Sequence, residues 1–123
     1  MIKDISPAEV RGQIEQGETF VVNIVASWCP DCIERQRPHL PGFVEKVAGA
    51  GIPVCQCTVQ EEKMVFISAA HEALTNDFGG HGYPRTLLVI KGEVEDSRVE
   101  VMDPLSLDML ATEYIERVRS AFS

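Results

Sequence analysis

The chain has 123 residues, of which 45% are hydrophobic and 24% are charged, a balance that suits one globular domain over residues 1–123. Its net charge of −8 argues against nucleic acid as a partner, because nothing in it would neutralise a run of phosphates. The first residues lack a signal-peptide pattern, and no apolar stretch approaches the roughly 20 residues that span a bilayer. We therefore expect a cytoplasmic protein without a membrane partner.

The N-terminal segment predicts a capped helix followed by a buried strand. Ser6 suits the N-cap, Pro7 the first helical position and Glu9 the third, and the helix should end at about Gly17. The run Thr19–Ala26 is almost continuously apolar and rich in β-branched residues. Such a run is typical of a strand that is buried on both faces, as in a parallel sheet.

The middle of the chain continues the alternation of helix and strand. A helix is expected from Cys29 to about Ala50, with interruptions at Pro38 and Pro41. The segment Ile52–Val59 predicts a second strand. The segment Glu61–Phe78 predicts a further helix, because its apolar residues recur near helical spacing.

The C-terminal part predicts two strands and a last helix after a glycine-rich loop, Gly79–Gly82. Thr86–Ile90 is apolar enough for a buried strand, and the charged segment Val94–Met102 fits an exposed antiparallel edge. Asp103 should cap the final helix, whose inner face is expected to carry Leu107, Leu110, Tyr114, Ile115, Val118 and Phe122. This order predicts an α/β fold with a parallel core sheet, helices on its faces and an antiparallel hairpin at the end.

The residues that indicate chemistry are Cys29 and Cys32, where the first buried strand passes into a helix. A helix N-terminus offers free backbone N–H groups and the positive end of the helix dipole, which both favour a thiolate. Cys32 lies one turn further on the same face, so the two sulfurs can bond. Trp28 gives the exposed sulfur an apolar flank, and Pro30 fits the first turn because it has no N–H.

The alternative interpretations of this pair are half of a zinc site or two inert thiols. Zinc would need two more ligands, for which Cys55 and Cys57 are the candidates. Those two cysteines lie two positions apart on one strand, so their side chains point to the same face but are too far apart to form a disulfide. On a buried strand, cysteines are more often small apolar residues. We therefore expect no metal site.

Two stretches carry a resemblance to a known family. The run Val21–Cys32 resembles the active-site strand and helix start of thioredoxins, and Phe78–Val89 resembles their loop and strand around a cis-proline. The sequence Trp-Cys-Pro-Asp-Cys is similar to that of small cytosolic thioredoxin-related proteins. The resemblance implies a thioredoxin fold, with a central mixed sheet of parallel core and C-terminal antiparallel hairpin flanked by helices on both faces.

The resemblance also implies roles for other residues. Pro84 would be the cis-proline that faces the cysteine pair, and backbone groups of Tyr83 would bind an extended substrate segment. Thioredoxins usually have a buried Asp six residues before the first cysteine, where this chain has Asn23, which cannot accept a proton as a base. Water or Asp31 would then take that proton, and the charge of Asp31 should disfavour the thiolate of Cys29. A purely helix-capping role for Asp31 is the alternative.

Three further features have open interpretations. His81 lies three residues before Pro84, where it either approaches the cysteine pair or is solvated. Arg85 either steers an anionic substrate such as glutathione, as a basic residue there does in some glutaredoxins, or is solvated. The predicted helix Glu61–Phe78 is longer than its thioredoxin counterpart, which suggests a screen against large substrates or a different reductase contact.

The leading functional hypothesis is a monomeric thiol–disulfide oxidoreductase that needs no cofactor of its own. Cys29 would attack disulfides of proteins or small molecules, Cys32 would resolve the mixed disulfide, and a flavin-dependent thioredoxin reductase would supply electrons. The second hypothesis is a glutaredoxin-like enzyme that glutathione recharges. The third is a non-enzymatic adaptor that captures partners beside Tyr83 and Pro84.

Overall fold

A computed structural model describes residues 2–123 and shows one mixed sheet of six strands with helices on both faces. The elements in chain order are β1 (Lys3–Asp4), α1 (Pro7–Glu15), β2 (Phe20–Ala26), a π-helical segment (Asp31–Gln36), a 3₁₀ segment (Arg37–His39), α2 (Leu40–Gly49), β3 (Val54–Glu62), β4 (Val65–Phe66), α3 (Ala69–Asp77), β5 (Arg85–Ile90), β6 (Glu93–Val99) and α4 (Pro104–Ala121).

The sheet has the order β1-β3-β2-β5-β6, and β4 pairs with the distal part of β3. The strands β1 and β2 run parallel to β3, whereas β5 is antiparallel to both β2 and β6. The predicted α/β class, with a parallel core and an antiparallel hairpin at the end, is confirmed. The short strand β1 had no counterpart among the predicted elements.

The central strand β2 is buried along its whole length, as its apolar sequence predicts. Its side chains alternate between two cores. Phe20 and Val22 pack on the side of α1 and α3, and Val21 packs on the side of α2 and α4. This double burial holds the strand rigidly, and the strand ends at Ala26, directly before the cysteine motif.

The capped first helix is confirmed. Ser6 accepts a hydrogen bond from the backbone N–H of Glu9, and the Glu9 carboxylate accepts one from the backbone N–H of Ser6. This reciprocal pair satisfies two N–H groups that a helix start otherwise leaves free.

The helix predicted from Cys29 to Ala50 forms as three consecutive pieces. Wide π-helical turns come first, a 3₁₀ turn holds Pro38, and α2 then begins at Leu40 with Pro41 in its first turn. Each proline lacks an N–H for the helical ladder, so the interruptions lie where the sequence predicts them.

The prediction of a helix over Glu61–Phe78 is wrong at its N-terminal half. The chain instead continues β3 to Glu62, turns at Lys63 and Met64, and returns as β4. Met64 adopts a left-handed backbone conformation with φ of 66°. Only Ala69–Asp77 is helical, so the expected extra length of this helix is wrong as well.

The C-terminal elements agree with the sequence except at the end of β6, which stops at Val99 instead of Met102, and at the last turn of the final helix. The strand β6 is the exposed antiparallel edge, and α4 buries Leu107, Leu110, Tyr114 and Ile115. Phe122 is 60% exposed, so its expected place on the inner face is wrong. It lies beyond the end of α4, against the Lys91 ammonium. Within residues 2–123, no helix combines the length and apolarity needed to cross a membrane.

Candidate active site

Cys29 and Cys32 lie where β2 passes into the π-helical segment. The backbone N–H of Cys29 donates to Ala26 O over 3.1 Å, and Cys29 O in turn accepts from the N–H groups of Cys32 and Ile33 over 3.1 and 3.0 Å. Both are free thiols, 7% and 3% exposed respectively. Cys29 is therefore at the first turn and is the slightly more exposed of two buried residues, and Cys32 is one turn behind it.

The loop before β5 meets Cys29 from the opposite side. The peptide bond between Tyr83 and Pro84 is cis, as the thioredoxin resemblance implies, and both residues are buried. The Cys29 thiol contacts the Tyr83 carbonyl oxygen at 3.9 Å. Residues 54 positions apart in the sequence thus form one surface around the sulfur.

The indole of Trp28 flanks this surface and is held from two sides. Its Nε1–H donates to the Gln60 side-chain oxygen over 2.8 Å, and its ring meets the Tyr83 ring edge-on with centroids 6.5 Å apart. The Lys63 ammonium lies 5.7 Å from the indole centroid, within the range of a cation–π contact. Gln60 was not among the residues predicted for the site. The structure buries it almost completely, with 1% of the residue exposed.

The environment of Cys32 favours its neutral form. Burial raises the pKa of this thiol to about 12, and the hydrogen bond with Cys29 and the negative charges of Cys29 and Asp31 act in the same direction. A backbone hydrogen bond at Ala26 opposes them in part. Cys32 is therefore a buried thiol whose deprotonation needs either high pH or a change in its surroundings.

Beside the π-helical segment that holds Cys32, buried polar groups form a neutral network of hydrogen bonds. The Asn23 amide donates to Gln36 Oε1 over 2.9 Å and accepts from Gln36 Nε2 and the Thr86 hydroxyl over 3.2 and 3.1 Å. Gln36 Nε2 also donates to Val101 O. Asn23 thus replaces an ionisable carboxyl with an amide that its neighbours satisfy. Gln36 was not predicted, and its only signal is its place four residues after Cys32, on the same helix face.

Asp31 and His81 have partners other than the cysteines. Asp31 forms an ion pair with Arg35, one turn along the helix. His81 is exposed, and its ring meets the Tyr83 ring edge-on at 5.2 Å. His81 is therefore exposed to solvent, as one interpretation has it, and it also contacts Tyr83 beside Cys29, as the other suggests.

Arg85 is half-buried and makes hydrogen bonds within the fold. Its guanidinium donates to the Ser97 hydroxyl over 2.7 Å and to Gly79 O over 3.3 Å. It braces the glycine-rich loop against β6 through hydrogen bonds to two neutral acceptors. The same close packing explains why a side chain at Gly79, with φ of +129°, would clash with the guanidinium.

Cys55 and Cys57 lie in the core that β3 shares with α1 and α3, the same buried cluster that includes Cys29 and Cys32. They are 9% and 0% exposed, and burial raises the pKa of each thiol to about 12. Their assignment as small core residues is confirmed by this burial. No group of three or more potential metal ligands occurs in the part of the chain that the structure describes.

The comparisons with known proteins show what the fold is similar to. No protein-family model matches the sequence, and no curated protein matches it. Mitochondrial thioredoxin 3 from Saccharomyces cerevisiae aligns with a TM-score of 0.68 and 18% identity over 91% of this chain and 94% of its own. Thioredoxin from Plasmodium falciparum aligns with a TM-score of 0.66 and 19% identity over 94% and 99%. A mutant thioredoxin from Halobacterium salinarum aligns with a TM-score of 0.62 and 22% identity over 93% and 89%.

Proposed function

This chain has the thioredoxin fold, and we propose that it is a thiol–disulfide oxidoreductase that reduces disulfides with Cys29 as nucleophile and Cys32 as resolving thiol. The observation that carries the proposal is the placement of two free thiols one turn apart at a helix start, with the Tyr83 carbonyl oxygen beside the Cys29 sulfur. This arrangement gives a nucleophile, a resolving group and backbone groups for an extended substrate in one place.

The reaction balances within the dithiol. The Cys29 thiolate attacks one sulfur of a substrate disulfide, a new S–S bond forms, and the other substrate sulfur leaves as a thiolate that takes up a proton. The Cys32 thiolate then attacks the Cys29 sulfur, which releases the second substrate thiol and leaves a Cys29–Cys32 disulfide. The substrate gains two electrons and two protons, and the chain loses them until a reductant restores the dithiol.

The chemistry needs Cys32 to lose its proton in the second step. Its pKa is raised to about 12 chiefly by burial, and part of the remaining increase comes from the negative charge of Cys29. That charge disappears when Cys29 enters the mixed disulfide. Capture of a substrate therefore makes the deprotonation of Cys32 easier, so the two steps follow in order.

The two other candidate functions have less support. The feature that favoured a glutaredoxin-like enzyme was Arg85, whose guanidinium is engaged by Gly79 and Ser97. An adaptor would have no need of paired thiols at a helix start. We include in the proposal a disulfide-bearing protein or small molecule as substrate, thioredoxin reductase or glutathione as electron donor, a monomeric single domain and a cytoplasmic location.

The test is to trap the mixed disulfide. Cys32→Ser should accumulate a covalent adduct with a disulfide substrate, visible by intact mass and released by dithiothreitol, whereas the unaltered chain should pass on to its internal disulfide. Cys29→Ser should form no adduct, and Cys55→Ser, which removes an equally buried thiol, should behave as the unaltered chain does. Adducts to proteins support the proposal, and adducts to glutathione alone support the glutaredoxin-like reaction. Equal adducts from Cys29→Ser would overturn the assignment of the nucleophile.

A further inference from the structure

The hydrogen bonds of the buried Gln36 side chain reach beyond the network with Asn23. Gln36 is 1% exposed, and its Nε2 group donates both to Asn23 Oδ1 and to Val101 O, over 3.2 Å in each case. The turn that carries Gln36 is also bonded to the second cysteine, because the N–H of Arg37 donates to Cys32 O. Gln36 therefore ties the turn behind Cys32 to a segment that lies 65 positions further along the chain.

This distant segment also holds the loop on the other side of the cysteine pair. The N–H of Glu100 donates to Pro84 O over 2.8 Å. Glu100 has a left-handed backbone with φ of 60°, a conformation that costs a non-glycine residue energy and persists where its surroundings fix it. Glu100 and Val101, here called the bridge segment, thus make one hydrogen bond to the Pro84 loop and one to Gln36.

The bridge segment joins two parts of the site where the sheet no longer does so. The pairing of β2 with β5 ends at Ile24 and Arg85. Cys29 and Tyr83 both lie beyond this last pair, yet the Tyr83 carbonyl oxygen is 3.9 Å from the Cys29 sulfur. The contacts from Gln36 through the bridge segment therefore hold the cysteine turn and the Tyr83 loop against each other at their free ends.

The geometry of these contacts matters most for the step in which one cysteine attacks the other. Attack by a thiolate on a disulfide needs the three sulfurs nearly in line, and misplacement by about 1 Å can cost about a hundredfold in rate. After capture of a substrate, the Cys29 sulfur is the target of Cys32. The Tyr83 loop lies behind the Cys29 side chain and limits how far its sulfur can swing away from Cys32.

We propose that Gln36 is a positioning residue for this second step, because through the bridge segment it keeps the Cys29 sulfur in line for attack by Cys32. This inference rests on the proposed function and adds one residue to its mechanism. Gln36 exchanges no proton and forms no bond with the substrate. Its loss should therefore slow the release of the second substrate thiol and leave the capture of the substrate by Cys29 unchanged.

The experiment follows two successive thiol releases from one disulfide probe, dithiobis(nitrobenzoate), mixed in equimolar amount with the reduced chain. Attack by Cys29 releases the first thionitrobenzoate, and attack by Cys32 releases the second and forms the internal disulfide. The second release is intramolecular, so its rate constant is independent of protein concentration. Acid quenching and intact mass measure the mixed disulfide that exists between the two releases.

Two pairs of variants separate positioning from general loosening of the core. Gln36→Met removes the amide at similar volume, and Thr86→Val is its control, because the buried Thr86 hydroxyl donates to the same Asn23 oxygen and not to the bridge segment. Glu100→Val and Glu100→Asn change the bridge segment at an exposed position. Valine disfavours the left-handed backbone that asparagine tolerates, and both variants remove the same charge.

The second release should slow by at least about tenfold in Gln36→Met and in Glu100→Val, with a change of less than about twofold in the first release. Thr86→Val and Glu100→Asn should match the unaltered chain in both releases.

Equal slowing in Gln36→Met and Thr86→Val, or no slowing in Gln36→Met, would overturn the inference and leave the oxidoreductase intact. So would equal second releases in Glu100→Val and Glu100→Asn, a comparison that decides the matter even if Gln36→Met does not fold. Failure of the unaltered chain to release any thionitrobenzoate would overturn the proposed function itself.

Discussion

Replacement of Asn23 by Asp tests the neutral network beside the cysteine helix. Asn23 is 1% exposed, and its amide N–H donates to Gln36 Oε1 over 2.9 Å. An ionised carboxylate has no hydrogen to donate, so two oxygens would face each other in a site without solvent. The hydrogen bonds from Gln36 Nε2 and the Thr86 hydroxyl can persist, because both donate to the Oδ1 atom that Asn and Asp have in common.

Two terms set the magnitude of the effect. An unsatisfied buried acceptor costs about 1–3 kcal/mol, and each unit by which the fold raises the new carboxyl's pKa costs about 1.4 kcal/mol at neutral pH. With a rise of about 2 units, the variant should lose roughly 4–6 kcal/mol above about pH 7. Because the folded-state pKa is raised above the unfolded value of about 3.9, the cost is absent below that value and grows as the pH rises through the folded-state pKa.

The assay is urea unfolding with a reductant present, at about pH 4.5 and about pH 8. Asn23→Ala is the control, since it removes the same hydrogen bonds without adding a charge and should lose a similar free energy of unfolding at both pH values. The difference between Asn23→Asp and the unaltered chain should shrink at the lower pH. A loss of less than about 1 kcal/mol at about pH 8, or a loss that does not vary with pH, would refute the picture of a dry, neutral network.

Three further outcomes follow from the same structure. The attack of Cys32 on the mixed disulfide should become about tenfold faster per pH unit from about pH 6 to 9, as followed by release of the second substrate thiol. At neutral pH, Asp31→Asn should raise the rate of this attack by about twofold. A flat pH profile would contradict the raised pKa of Cys32. Gly79→Ala should cost about 2 kcal/mol in urea unfolding, because an L side chain is strained at a φ of +129° and would displace the Arg85 guanidinium; an unchanged midpoint would contradict that strain. Raising the pH from about 8 to 10 should cost the Cys57→Ala variant about 1 kcal/mol less free energy of unfolding than it costs the unaltered chain. Burial raises the pKa of this thiol in the folded chain, so the unfolded chain ionises first. An equal loss in both proteins would contradict this reason.

The elements that follow from local rules were predictable. The capping box at Ser6 and Glu9 needs only four residues, and it forms as expected. The strand β2 needs only a run of apolar β-branched residues, and its predicted start differs from the observed one by a single residue. The placement of Cys29 at the start of a helix follows from these two elements, whereas the cis form of the bond before Pro84 came only from the family resemblance.

The errors lie where distant contacts decide the structure. The segment after Val59 has apolar residues near helical spacing, but pairing of Gln60 with Phe66 across the sheet makes it a hairpin. The turn requires a left-handed Met64, a conformation that no propensity scale would assign to methionine. Gln36 and Gln60 are ordinary surface residues by composition, and only the three-dimensional structure reveals the partners that bury them.

The π-helical turns after Cys32 have a consequence for how this chain can tolerate changes in length. Arg37 N–H donates to Cys32 O, five positions back, so the segment holds one residue more than an α-helical turn would. Deleting a single residue here would close the wide turn to ordinary winding, and the residues downstream would keep nearly the same direction relative to the cysteines, because the wide turn already accommodates the extra residue. Gln36 would then stay close to its partners Asn23 and Val101 O, whereas a deletion from a regular α-helix would turn it away from them. We therefore expect this short stretch to accept the loss of one residue more readily than the regular helices of the molecule do.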